Sequence, residues 1–263
     1  MEIKIDTDVR YMLDSPKVPK ERIDELEYIA MKRIKGALSR HSKPCLGYSM
    51  GKDSIVVQNM LRKSGLGVDE ILWATTNTQY KANVDWYNKY EADTSRWVDI
   101  PRPTFEELET VPDLLFPNST KMVTQWMNSK WKAQQKTLVG EGYDLFITGR
   151  RTAEHNFCGR KDEGYLAKGK QYDTLSPIGE WKFDDVIAYI HYNGLDLPPS
   201  YFYKYGFFHG SGAWAQRMRM GKFTNYTIND CFDEVYEVEP ELIHEAADKL
   251  SAAKRYLEMR NLI

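Results

Sequence analysis

Between residues 49 and 54 the chain reads Ser-Met-Gly-Lys-Asp-Ser, and most of those residue types have a use at a phosphate. Gly51 lets the backbone approach an anion with no side chain intervening. Lys52 brings a point charge, and Ser49 and Ser54 bring hydroxyls. Asp53 caps a helix or holds a magnesium ion bridging phosphates. The flanks fit as well. Cys45-Leu46-Gly47-Tyr48 is an apolar run of strand length, and Val56, Val57, Met60 and Leu61 share one helical face that Gly65 ends. A strand feeding a helix leaves the helix's first N–H groups free for an anion, with the dipole adding favourable potential. A tight turn with a cap and a solvated lysine would use some of the same residues. Six consecutive fits between strand and helix favour the phosphate loop. It is not a Walker A loop, because G-x-x-x-x-G-K-[ST] is absent.

A second group of candidates follows the apolar run Tyr143 to Thr148, where Gly149 turns the chain into Arg150 and Arg151. Both arginines project from the carboxyl edge of the sheet, where open α/β folds hold ligands, and their planar forks suit phosphate or sulfate. Glu154 orients one of them or is a surface carboxylate. Cys158 lies among Arg150, Arg151, Arg160 and Lys161, a setting that depresses a thiol's pKa, although a lone loop cysteine is more often inert. His155 and His209 are acid–base candidates, weighed against plain polar loop residues. Gly206 to Trp214, followed by Arg217, Arg219 and Lys222, reads either as a lid over an acceptor or as a solvated loop. The run Tyr201 to Tyr205 reads as packing.

These residues need a scaffold, and the periodicity supplies one. Ile23, Leu26, Ala30, Ile34 and Leu38 mark a helix over Lys20 to Ser39. Strands are expected at Glu70 to Thr75, Ser95 to Ile100 and Tyr143 to Thr148, with helices up to Tyr90, over Thr120 to Leu138 and over Asp184 to Tyr192. Gly149 to Gln171 reads as a long loop, and Glu241 to Leu262 as one closing helix with a stripe of Ile243, Ala246, Leu250, Ala253 and Leu257. Alternating strands and helices imply an α/β fold with a doubly wound, mainly parallel sheet, an N-terminal helix and a small C-terminal helical extension. The expected divisions are an N-terminal helical segment at 1–42, a nucleotide-binding domain at 43–195, and an extension at 196–263 serving as lid or acceptor or partner region.

Composition bounds the rest. The 263 residues hold 42% hydrophobic and 28% charged side chains and a formal charge of −2, so direct nucleic-acid binding is not indicated. No apolar run approaches bilayer length, and Met1 to Asp6 has no leader pattern. Three widely spaced cysteines, Cys45, Cys158 and Cys231, argue against disulfides, zinc or iron–sulfur sites and for a cytoplasmic location.

The loop resembles the S-G-G-x-D-S signature of the PP-loop superfamily, the adenine nucleotide α-hydrolase-like proteins. Further stretches resemble its phosphoadenosine phosphosulfate reductase branch. Ala74 to Gln79 sits where that branch carries Asp-Thr-Gly, with Asn77 and Gln79 replacing the Asp and the Gly. Thr148 to Glu154 and then Arg160 is similar to Gly-x-Arg-x-x-Glu-Ser…Arg. Ser176 to Trp181, Asp185 to Ile190, Pro199 to Tyr201 and Gly206 are similar to its Pro-Leu-x-x-Trp…Pro-Leu-Tyr…Gly region. The resemblance implies an adenine nucleotide, ATP or phosphoadenylylsulfate, contacted by Ser49, Met50, Gly51, Lys52, Asp53, Ser54, Asn77, Thr78, Gly149, Arg150, Glu154 and Arg160. It also implies magnesium on Asp53, with Lys52, Arg150 and Arg151 as catalytic charges. The branch's near-C-terminal Glu-Cys-Gly-x-His has no counterpart, and Cys231 sits in the acidic context Asp230-Cys231-Phe232-Asp233. The first expectation is therefore ATP-dependent adenylyl transfer to an anionic acceptor with pyrophosphate release, as in the small subunit of sulfate adenylyltransferase, which keeps Lys-Asp-Ser. The alternatives are a phosphoadenylylsulfate reductase-like enzyme with an atypical thiol and a non-catalytic nucleotide-binding regulatory subunit. A partner subunit or a homodimer stays open.

Overall fold

The apolar runs become the strands of one sheet in the computed structural model, which describes residues 12–217, 219 and 226–263. In chain order they are β1 (Pro44–Tyr48), β2 (Asp69–Ala74), β3 (Arg96–Asp99), β4 (Leu145–Ile147), β5 (Leu166–Ala167) and β6 (Asp173–Leu175). Their order across the sheet is β3-β2-β1-β4-β6-β5. Every neighbouring pair is parallel except β5 with β6. The helices are α1 (Lys20–Leu38), α2 (Lys52–Ser64), α3 (Lys81–Tyr90), α4 (Phe105–Thr110), α5 (Thr120–Gly140), α6 (Phe183–Tyr192), α7 (Gly206–His209), α8 (Ile228–Val238), α9 (Pro240–Ala247) and α10 (Ser251–Met259).

Side chains alternate between the two faces of a strand, and both faces here are covered by helices. Leu46, Leu72 and Ile147 pack with Ile34 of α1, Val56 and Met60 of α2, and Val186 of α6. Their neighbours Cys45, Ile71, Trp73 and Phe146 point the other way, against Leu138 of α5. Burial on both sides explains why these strands read as continuous apolar runs. A third cluster joins Leu108 of α4 and Trp126 of α5 to Phe232, Ile243 and Leu257 of α8, α9 and α10. Gly47 weakens β1 as a strand former, yet a Cβ there would lie 2.6 Å from the Phe146 ring on β4. The neighbouring ring takes that space.

Two expectations need correction. The long loop Gly149 to Gln171 contains β5 and leads into β6, an edge hairpin too short to show a period. The expected single helix from Glu241 to Leu262 is two, α9 and α10, with Leu250 in extended conformation between them. Leu250 stays buried through the break, so its stripe of apolar residues gives no sign of it.

From β1 the chain moves outward to β2 and β3, and it returns on the other side of β1 at β4. That reversal opens a crevice at the carboxyl ends of β1 and β4. The loop 49–54 and the turn at Gly149 both emerge there.

Candidate functional site

Gly51 is the N-cap residue of α2, whose first helical residue is Lys52. Met50, just before it, has φ +55°, with its side chain fully buried. The Ser54 hydroxyl ties the loop together. It donates to the Gly51 carbonyl at 2.9 Å and accepts from the Ser49 N–H at 3.1 Å. From a distant segment, the Ser211 hydroxyl donates to the Ser49 carbonyl at 2.6 Å and the Tyr201 hydroxyl accepts the Lys52 N–H at 2.8 Å.

Gly149 rests directly on this helix start. A Cβ there would lie 2.7 Å from the Asp53 carbonyl carbon and 2.8 Å from the Ser54 nitrogen, so a glycine is needed for the two walls to meet. The next two residues part company. Arg151 turns inward and is buried, its Nε donating to Asp53 Oδ1 at 2.6 Å, with a further ion pair to Glu154. Lys52 Nζ donates to Asp53 Oδ2 at 2.7 Å and lies 3.4 Å from Glu154 Oε1. Two cations and two carboxylates thus balance one another beneath the loop. Arg150 turns the other way and makes no hydrogen bond or ion pair among the described residues.

The crevice has two compartments. The larger, about 370 Å³, lies between the loop, the end of β2 with the following Thr75, Trp126 and Met127 of α5, and the segment Phe207 to Gly212. The smaller, about 220 Å³, is lined by Gly51, Ser54, Gly149, Arg150, Trp131, Gln134 and Asn156. Ser49, Asp53, Lys130 and Glu154 border both. Lys130, from α5, has no carboxylate partner among the described residues, and burial followed by the nearby Arg150 charge pulls its ammonium down to about 8. Burial and then Arg217 hold His209 down to about 3, so its imidazole is neutral at pH 7; its Nε2 has no hydrogen-bond partner among the described residues.

The sequence candidates separate accordingly. Ser49, Met50, Lys52, Asp53 and Glu154 line the larger compartment, while Gly51, Ser54, Gly149 and Arg150 line the smaller. Arg151 stands behind them as a buried brace. Arg160 lies outside, exposed and paired with Asp162 at 2.5 Å. Asn77 is exposed and Thr78 buried, and neither lines the cleft; Gln79 does, with its Oε1 buried and unpartnered among the described residues. His155 borders neither compartment. Arg217 is buried against Glu234 at 2.8 Å and the Tyr80 hydroxyl at 2.9 Å, while Lys222 falls outside the described residues. Tyr203 is packing, as expected of its run, but Tyr201 reaches the cleft.

The cysteines follow the inert reading. Burial raises the Cys158 thiol above its ordinary value despite its basic neighbours. Burial likewise pushes Cys231 up to about 12, and Cys45 higher still. Each Asp53 oxygen accepts from one cation, Lys52 or Arg151, and keeps a further acceptor position. Among the described residues no group of three or more His, Cys, Asp or Glu could hold a metal. No described helix is long and apolar enough to cross a membrane. Lys130, Tyr201 and Gln79 escaped the sequence reading. The family positions of Tyr201 and Gln79 offered the only signal, and nothing in the sequence marked Lys130.

The family model of the phosphoadenosine phosphosulfate reductase domain matches residues 43–208. Among solved structures, the chain is similar to a phosphoadenylyl-sulfate (PAPS) reductase from Candida auris in a phosphate complex. The identity is 19%, covering 76% of this chain and 98% of that one, with a TM-score of 0.49. It is also similar to the NAD+ synthetase from Burkholderia pseudomallei, at 14% identity, 96% and 93% coverage, and a TM-score of 0.46. No curated protein matches it.

Proposed function

The chain belongs to the phosphoadenosine phosphosulfate reductase domain family, and from that premise we propose that it cleaves ATP between the α and β phosphates and transfers the adenylyl group to an anionic acceptor. One observation carries the reading. Among the described residues Lys130 and Arg150 are uncompensated cations facing one cavity beside a phosphate loop, while the Lys52 and Arg151 charges are balanced from within. Two like charges held together in a partly desolvated place are stabilised by an anion between them.

The larger compartment is of the size small-molecule sites take, about 300–1,000 Å³, and suits the nucleoside. The triphosphate then runs over the loop toward Lys130 and Arg150. An acceptor oxyanion attacks the α-phosphorus. A new P–O bond forms as the bond to the bridging oxygen breaks, and pyrophosphate leaves with that electron pair. Lys52, Arg150 and Lys130 stabilise charge on the phosphoryl groups, and the amides at the start of α2 are already oriented for it. An anionic acceptor needs no general base. Reduction of a sulfonucleotide would need an attacking thiolate, and all three cysteines are buried with raised pKa.

The test incubates the protein separately with ATP, adenylylsulfate and phosphoadenylylsulfate, with and without magnesium, and identifies products by mass spectrometry. Pyrophosphate from ATP is expected. Sulfite would establish the reductase reading instead, and unchanged nucleotide in every arm would leave a binding subunit.

A further inference from the structure

The phosphate loop is not built from the loop alone. Tyr201, more than one hundred residues further along the chain, is 2% exposed and lines the larger compartment. Its hydroxyl accepts the Lys52 N–H at 2.8 Å. A phenol has one proton to donate and two acceptor positions, and that proton has no acceptor among the described residues. The hydroxyl is also aimed firmly. Its ring packs edge-on against Phe207 with centroids 5.1 Å apart. The backbone before it is pinned because the Ser200 N–H donates to Asn83 Oδ1 at 3.1 Å and the Asn83 amide donates to the Ser200 hydroxyl at 2.9 Å. A Cβ on Gly51 would make only an ordinary contact with the Tyr201 oxygen, at 3.6 Å, while crowding the Ser49 hydroxyl at 2.9 Å.

We propose that Tyr201 is part of the phosphate cradle, its hydroxyl held by the Lys52 N–H and donating its own proton to a nucleotide phosphate oxygen at the start of α2. Burial raises the phenol's pKa, so it remains a donor throughout the physiological range. The proposal rests on the phosphate-loop reading of residues 49–54. It assigns part of nucleotide recognition to the segment after α6.

The experiment titrates the full chain with ATP, pyrophosphate and adenosine by calorimetry, comparing wild type, Tyr201→Phe and Lys52→Ala. Tyr201→Phe should weaken ATP and pyrophosphate about tenfold, the scale of one hydrogen bond to a charged acceptor. Adenosine affinity should stay unchanged, which also reports that the fold survives. Equal losses for ATP and adenosine would make the role structural and overturn the proposal. So would no loss, or a gain, which would mean that the hydroxyl occupies a phosphate oxygen's own place. If Lys52→Ala weakens ATP while Tyr201→Phe does not, the phosphate loop stands and only this inference falls. If neither ATP nor pyrophosphate binds the wild type, both fall.

Discussion

Adjacent residues Arg150 and Arg151 have opposite surroundings, and their substitutions should therefore separate stability from binding. Arg151→Ala removes a buried guanidinium from Asp53 and Glu154 and leaves the half-buried Asp53 with Lys52 alone, which should cost about 1–3 kcal/mol, the scale of a lost partner at a buried polar group. Arg150→Ala removes a side chain without partners among the described residues and should leave thermal unfolding within about 0.5 kcal/mol, while weakening ATP. Equal melting shifts for the two would contradict this division. Nothing in the order Gly-Arg-Arg tells which arginine turns inward; that depends on how closely Gly149 settles on α2. Lys130 is equally hidden, one lysine among Lys121, Lys132 and Lys136 on the same helix. Its lowered pKa gives a test with two signs. The folded ammonium loses its proton near 8, whereas the unfolded chain keeps it to 10.5. Anion affinity should fall as pH rises through about 8, while stability rises between about 8 and 10.5 as the burial penalty disappears. The other charges bordering the cleft are Lys52 and Asp53 on α2, Arg150 and Glu154 after β4, and Arg102, with His209 neutral. Lys130→Arg should abolish the alkaline loss of ATP affinity, and persistence of that loss in calorimetry would move its origin to another group.

At the scale of elements, the residues entering α2 are under tension. Met50 holds a left-handed backbone that favours glycine, and the S-G-G-x-D-S pattern carries glycine there. Relieving that strain gains about 1–2 kcal/mol, but removing a fully buried methionine loses about 2–5 kcal/mol. Met50→Gly should thus be net destabilising in urea melts; a rise in midpoint would show that the side chain contributes little. In α1 the balance reverses. A Cβ added at Gly36 would meet nothing within 4 Å, and its φ is not left-handed, so Gly36→Ala should raise stability by about 0.5–1 kcal/mol. Elements with a period were legible, including α1, α5, α6 and the strands β1 to β4. Helix α8 went unread although its capping box, Thr227 with Asp230, is written in the sequence. The hairpin of β5 and β6 has too few residues to alternate, and its pairing is a tertiary fact.

For the whole molecule, the strand order matters more than any one strand, since the reversal beside β1 brings the two walls of the cleft together. The alternation of strands and helices gave the parallel, doubly wound sheet but not this order. Nor did it give the second layer of packing. Leu108, Phe116 and Trp126 share a cluster with α8, α9 and α10, so the middle of the chain is covered by its far end. A fragment of residues 43–195 would expose that cluster. It should bind the dye ANS and unfold without a cooperative transition, whereas a sharply melting, monomeric fragment would show that the C-terminal helices are dispensable to folding.

The unbalanced pair at Lys130 and Arg150 also bears on how the protein is handled. A cavity that gathers positive charge does not discriminate among small oxyanions, so a phosphate or sulfate buffer is itself a competitor. Apparent nucleotide affinity measured in such a buffer will be understated in proportion to the buffer's own occupancy. The same occupancy raises the melting temperature, since any ligand of the folded state stabilises it by about RT ln(1 + [L]/Kd). Storage in phosphate thus favours shelf life, and assay in a zwitterionic buffer favours activity.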